Sequence, residues 1–110
     1  MATTYKVLGQ IAPSATTDTT LYTVPAATET VISTIVVANR SSGDLTYNIA
    51  VRPDGATLAN EHYIAKTVTV GASDSTTLTL GLTLNAADVI TVRASSGDLS
   101  FNAFGSEITA

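Results

Sequence analysis

Apolar residues recur at every second position through much of this chain. Leu45, Tyr47, Ile49 and Val51 alternate with Thr46, Asn48, Ala50 and Arg52, and Leu78, Leu80, Leu82 and Leu84 alternate with Thr77, Thr79, Gly81 and Thr83. A period of two marks a half-buried strand, because successive side chains of an extended backbone point to opposite faces. So many leucines would otherwise suggest helix, and their spacing rejects it. The same pattern predicts a first strand over residues 4–11, with Tyr5, Val7, Gly9 and Ile11 on one face, ended by Pro13. A short second strand covers 21–24 and stops at Pro25; others cover 30–39, 62–70, 89–94 and 99–106. Pro53-Asp54-Gly55 and Gly71-Ala72-Ser73-Asp74 read as turns, and residues 56–60 have room for a brief helical turn and no more. Some eight strands, separated by turns every ~8–12 residues, predict an all-β chain folded as an antiparallel β-sandwich or jelly roll.

One stretch occurs twice. Val36-Val37-Ala38-Asn39-Arg40-Ser41-Ser42-Gly43-Asp44-Leu45-Thr46-Tyr47-Asn48 returns as Ile90-Thr91-Val92-Arg93-Ala94-Ser95-Ser96-Gly97-Asp98-Leu99-Ser100-Phe101-Asn102. Each copy has a β-rich run, a Gly-Asp pair and an alternating run, which predicts two β-hairpins turning at Gly43-Asp44 and Gly97-Asp98. In that reading Gly supplies φ > 0 and Asp bonds its own backbone. Residues 28–33 and 86–91 hold similar places ahead of the two copies, so the expected fold is two related Greek-key halves sharing one core. Tyr47 and Phe101, at equivalent positions, are expected in that core. Residues 1–110 then form a single domain, a length that buries a core unaided.

Residues 30–39 carry more apolar surface than a sandwich strand needs. Strict alternation puts Val31, Ile35 and Val37 on one face and Ile32, Val36 and Ala38 on the other. One face of such a strand packs in the core, and the surplus face needs cover from another segment or another subunit. Phe104 poses the same question, because its companions on alternation are Ser100 and Asn102. Ile32, Val36, Ala38 and Phe104 are therefore the candidate contact residues.

Charge and composition narrow the chemistry. A formal net charge of −4, with Lys6, Arg40, Arg52, Lys66 and Arg93 scattered, argues against a sequence-independent grip on nucleic acid. With 45% hydrophobic and 13% charged residues the chain is neither disordered nor a charged bundle. It contains no cysteine, which excludes disulfides and thiolate metal sites. No apolar run approaches the ~20 residues of a membrane helix, and Met1-Ala2-Thr3-Thr4-Tyr5 lacks the character of a secretory leader. The chain is expected to stay in the cytoplasm unless an assembly carries it elsewhere.

Catalytic constellations are not visible. His62 is the only histidine, placed by the pattern inside a strand, and no G-x-S-x-G elbow accompanies it. Neither Asp54 with Glu61 nor Asp44 with Asp98 has a spacing that dictates a shared pocket. Calcium needs several oxygen ligands from one compact loop, and each repeated loop offers one carboxylate. Asn39-Arg40-Ser41 matches the glycosylation sequon but without a leader is expected to be empty. Six dispersed aromatic residues form no carbohydrate platform. The expectation is a non-enzymatic protein with no cofactor and no metal.

Three segments carry a resemblance. They are Thr4-Tyr5-Lys6-Val7-Leu8-Gly9-Gln10 with Pro13, the run from Thr20-Leu21-Tyr22-Thr23-Val24-Pro25-Ala26 through Val36-Val37-Ala38-Asn39-Arg40, and Leu99-Ser100-Phe101-Asn102-Ala103-Phe104-Gly105-Ser106-Glu107-Ile108. They resemble a family of small virion-associated proteins of tailed bacteriophages, common among marine and cyanobacterial phages. The resemblance implies a structural role without catalytic residues. It points first to a capsid decoration, or cement, protein in the virion, bound to the major capsid protein and to itself as a homotrimer or other homo-oligomer. It also fits an accessory protein of the neck, tail or baseplate, or the host-surface-binding head of a fibre. A small hydrolase or a lectin is the competing class.

Overall fold

The computed structural model describes residues 2–109. The strands are β1 (Ala2–Ile11), β2 (Thr19–Thr23), β3 (Thr28–Asn39), β4 (Leu45–Arg52), β5 (Tyr63–Val70), β6 (Ser75–Leu84), β7 (Val89–Ala94) and β8 (Leu99–Thr109). They make two four-stranded sheets, β1-β8-β3-β6 (the first sheet) and β2-β7-β4-β5 (the second), with antiparallel pairing between neighbours. This is an eight-stranded jelly roll, as the alternation predicts. Among the described residues helix is limited to two 3-10 turns, Pro53–Gly55, just ahead of the segment expected to hold one, and Asn60–His62, which begins at that segment's last residue.

The halves are related more closely than the repeated stretch alone implies. Replacing each strand of the first sheet by the one four places along the chain, with β8 passing to β4 and β6 to β2, reproduces the order of the second sheet. The connections obey the same relation. Ala27 ahead of β3 and Ala87 ahead of β7 both take left-handed backbone angles, φ 55° and 70°. The two loops also bond to each other, Val24 N–H to Asp88 O at 3.0 Å and Ala87 N–H to Val24 O at 3.1 Å.

Neither repeated stretch is a hairpin. β3 lies in the first sheet and β4 in the second, and β7 and β8 are divided likewise, so each Ser-Ser-Gly-Asp loop arches from one sheet to the other. A two-residue hairpin turn requires φ > 0, and neither Gly43 nor Gly97 is left-handed. The aspartates also differ from expectation: Asp44 Oδ1 accepts the Ala72 N–H at 3.1 Å, across to the β5–β6 turn. The two arches sit side by side. Arg40 of the first donates from its backbone to Asp98 O at 2.9 Å and from its guanidinium to Gly97 O at 2.7 Å and Ser100 Oγ at 2.9 Å. Arching also brings Tyr47 and Phe101 together from opposite sheets, ring centroids 6.1 Å apart and edge to face.

Asn39 anchors the first arch. Its Oδ1 accepts from Ser41 N–H and Oγ, and its amide nitrogen donates toward Gly43 O, Val70 O and Gly71 O. At 3% exposure with both amide atoms engaged, it has no room to carry a glycan.

Single-residue bulges decide which side chains reach the core. In β3, Ile32 faces Gly105 and Thr34 faces Phe104, leaving Ser33 as the extra residue. The phase of alternation flips there. Thr28, Thr30 and Ile32 point inward before the bulge, and Ile35, Val37 and Asn39 point inward after it. Ile32, expected on the contact face, is therefore fully buried with Ile35 and Val37, while Val31 moves out to join Val36 and Ala38. β1 repeats the device at Leu8, between Val7 opposite Phe104 and Gly9 opposite Ala103. Tyr5 and Val7 consequently face solvent, whereas Gly9 and Ile11 turn inward instead of sharing their side. A Cβ at Gly9 would run into the Leu21 carbonyl oxygen of the facing sheet, so this close approach needs glycine.

Candidate functional site

The outer face of β1, β8 and β3 carries the one sequence-predicted contact residue that sits in a hollow. Phe104 lies opposite Val7 on one side and Thr34 on the other. The bulges at Leu8 and Ser33 flank it, and Ser33 Oγ donates to Phe104 O at 3.1 Å. Next to it Gly105 has no side chain, because a Cβ there would meet the Val31 carbonyl oxygen where the bulge draws the strands together. The result is a shallow trough of about 560 Å³ whose walls include Tyr5, Val7, Val31, Phe104 and Ser106. Tyr5 is 83% exposed and Val7 48%.

Of the four residues expected here, the structure brings only Phe104 to the trough. Val36 and Ala38 lie on the same face but farther along β3, opposite Asn102 and Ser100. That end is polar: Gln10 donates to Asn102 at 2.7 Å and Arg40 covers Ser100. Ile32 is in the core. Tyr5, Val7 and Val31 were missed, because strict alternation assigned each of them to a strand side that the bulges divide.

One charged network lies next to the trough. Behind it, between the sheets, runs the polar chain Thr30–Tyr22–Glu107–Lys6. The Tyr22 hydroxyl donates to Glu107 Oε2 at 2.6 Å and lies 2.8 Å from Thr30 Oγ1, and Lys6 Nζ sits 2.7 Å from Glu107 Oε1. Burial, followed by the bond to Glu107, pushes Tyr22 up to about 12. Lys6 and then Tyr22 hold the Glu107 carboxyl below its ordinary 4.5. A general acid or base works best with a pKa near the operating pH, and both groups are moved away from neutrality. The chain cross-links the sheets.

The remaining candidates are absorbed by local structure. His62 ends the 3-10 turn Asn60–His62 rather than lying in a strand, and its Nδ1 accepts the Ala59 N–H at 3.0 Å. Asp54 is bound through its backbone N–H to Asp88 Oδ1 at 2.8 Å, while Asp88 Oδ2 accepts from Asn85 N–H. Among the described residues no three His, Cys, Asp or Glu stand close enough to hold a metal ion, and no helix is long and apolar enough to cross a membrane. A small polar dish of about 140 Å³ on the outside of the second sheet, at Thr46, Asn48 and Arg93, spends its groups internally. Asn48 Oδ1 accepts from Thr67 N–H at 2.7 Å, and Arg93 reaches Asp18 at 3.5 Å.

The chain matches no protein-family model, and no curated protein matches it at a significant level.

Proposed function

We propose that this protein is a non-enzymatic structural component of a tailed-phage virion, and that it decorates the capsid as a cement protein, bound to the major capsid protein and to copies of itself. The observation that carries this reading is the largely apolar trough at Phe104, open on the outside of a sheet, whose one charged neighbour, Lys6, is paired with Glu107 and which has no metal-binding cluster beside it among the described residues. Such a surface acts by burying area against a neighbour. A standard interface buries ~1,600 Å², and a symmetric shell repeats it at every equivalent position. The likeness of three segments to small virion-associated proteins of tailed phages adds support from sequence.

Quantitative mass spectrometry of purified virions tests the proposal. One copy per capsid subunit, or per three, is expected for decoration of the head. A ratio lower by tens of fold would instead support the neck, tail, baseplate or fibre, where small multiples of three, six or twelve occur. Absence from the particle would reject a virion role altogether. Phe104→Asp provides the contact test: the variant is expected to fold, since the side chain lies outside the core, and to lose attachment to the particle.

A further inference from the structure

A jelly roll has four edge strands, and here they are not equally protected. Exposed edges present unpaired N–H and C=O groups, and proteins guard them with short strands, bulges or lysines. β2 has five residues and slips register between Thr20 and Tyr22. β5 carries left-handed Thr67, at φ 54°, beside its breaks in register. β6 stays in register over Ser75–Thr79 and then turns at Gly81, φ 62°, and the exposed side chains of its regular part are Ser and Thr.

β1 also has a bulge, at Leu8, but the stretch ahead of it is long and regular. From Ala2 to Val7 it pairs with Thr109 to Phe104 of β8 without a break, and all six residues are exposed. The apolar surface it offers is Tyr5 and Val7. Its one guarding charge, Lys6, is drawn to Glu107 at 2.7 Å and so is compensated within the subunit.

We propose that this edge pairs with the same edge of a second copy, antiparallel and about a two-fold axis at Tyr5, joining the two first sheets into one continuous eight-stranded sheet. Geometry restricts the register, and charge and apolar content choose within it. In a continuous antiparallel sheet the axis stands perpendicular to the sheet, and facing residues share a side, so two copies of one residue face each other across it. An axis at Lys6 would oppose two lysines. An axis at Tyr5 opposes Tyr5 to Tyr5 and Thr3 to Val7 on the outer side, and Thr4 to Lys6 on the inner side. Two aromatic rings then meet across the axis, and each trough continues into the other through Val7 and Tyr5. The edge is self-complementary in side, in charge and in apolar content, which favours a second copy over a foreign strand. An isologous contact of this kind closes at two, so a trimer would have to use another surface.

The pairing deepens the reading of the chain as an assembling protein, yet its test needs no virion. Light scattering and sedimentation of the purified protein at high micromolar concentration are expected to give twice the 11.3 kDa chain mass. Tyr5→Lys places like charges across the axis and is expected to abolish the dimer, while circular dichroism and thermal unfolding show a folded monomer. Because the chain has no cysteine, Tyr5→Cys is expected to oxidise to a covalent dimer, and Thr77→Cys on the β6 edge is not. A wild-type monomer, a mass of three chains, a dimer that survives Tyr5→Lys, or equal cross-linking from Thr77→Cys would each overturn the pairing. A dimer with a low virion copy number would leave the pairing and overturn head decoration. A monomer present at capsid stoichiometry would do the reverse.

Discussion

Tyr47→Phe is expected to make the protein more stable. Tyr47 is 2% exposed, its ring packs edge-on against Phe101, and its hydroxyl has no hydrogen-bond partner among the described residues. A hydroxyl taken from water without a replacement bond costs about 1–3 kcal/mol. Removing the oxygen leaves the ring contact in place, so the expected gain is about 1 kcal/mol or more, worth roughly 4–8 °C in Tm per kcal/mol for a domain near this size. The repeat supports the substitution, since the equivalent position in its second copy is Phe101, which is fully buried. Urea and thermal unfolding should show a higher midpoint with an unchanged m value, because the area exposed on unfolding hardly alters. Burial also raises the Tyr47 pKa above its ordinary 10.0. The unfolded chain therefore releases this proton first, and wild-type stability falls as pH rises above about 10. Tyr47→Phe lacks that loss, so its advantage should widen at alkaline pH. The reciprocal Phe101→Tyr adds an oxygen to a buried site and is expected to destabilise. A Tyr47→Phe protein that unfolds at lower urea than wild type would refute the argument, by showing that the hydroxyl is bonded.

Three further outcomes follow from packing and charge. Gly105→Ala drives a Cβ into the Val31 carbonyl opposite the β3 bulge, and a loss of about 1–3 kcal/mol is expected in urea unfolding; a neutral result would mean that the bulge at Ser33 adapts freely. Glu107→Gln is expected to cost about 1 kcal/mol at neutral pH, allowing for partial exposure of the ion pair. Because the folded carboxyl titrates below its ordinary 4.5, its contribution is complete above that pH and disappears as pH falls through the folded value. The wild-type and Glu107→Gln stability curves should accordingly converge in acid, and parallel curves would contradict the assignment. Asn39→Ala strips bonds from the buried Val70 carbonyl and from the arch at Gly43, with an expected loss of about 1–3 kcal/mol by thermal unfolding.

The strands were readable because alternation needs only local information. Leu45 to Arg52 fill β4, and Thr77 to Leu84 lie within β6, as their period of two assigns. What escaped the reading depends on a partner distant in sequence. A Gly-Asp pair between two β-rich runs is written alike whether the runs pair or part, and only the neighbours of β3 and β8 show that these runs part. Likewise nothing local in Ile32-Ser33-Thr34 announces an extra residue. Gly105 permits the bulge from across the strand, and it becomes informative once β8 is known to lie alongside. The reading of the candidate contact residues suffered accordingly. Phe104 precedes no bulge within its own strand and was placed on the correct side. Ile32, one residue ahead of a bulge, was not.

The order of strands in the sheets also sets a timetable for folding. Of the neighbouring pairs, β4 with β5 is the only one joined by adjacent strands; β1 must find β8, β2 must find β7, and β3 lies between β6 and β8. Loop closure therefore precedes almost every pairing, and chains of this kind fold in milliseconds to seconds rather than microseconds. Of the eight strands, β1 is synthesised first and its intramolecular partner β8 last. Throughout that interval Tyr5 and Val7 belong to an unpaired strand, so the step most sensitive to crowding among nascent chains is the capture of β1 by β8.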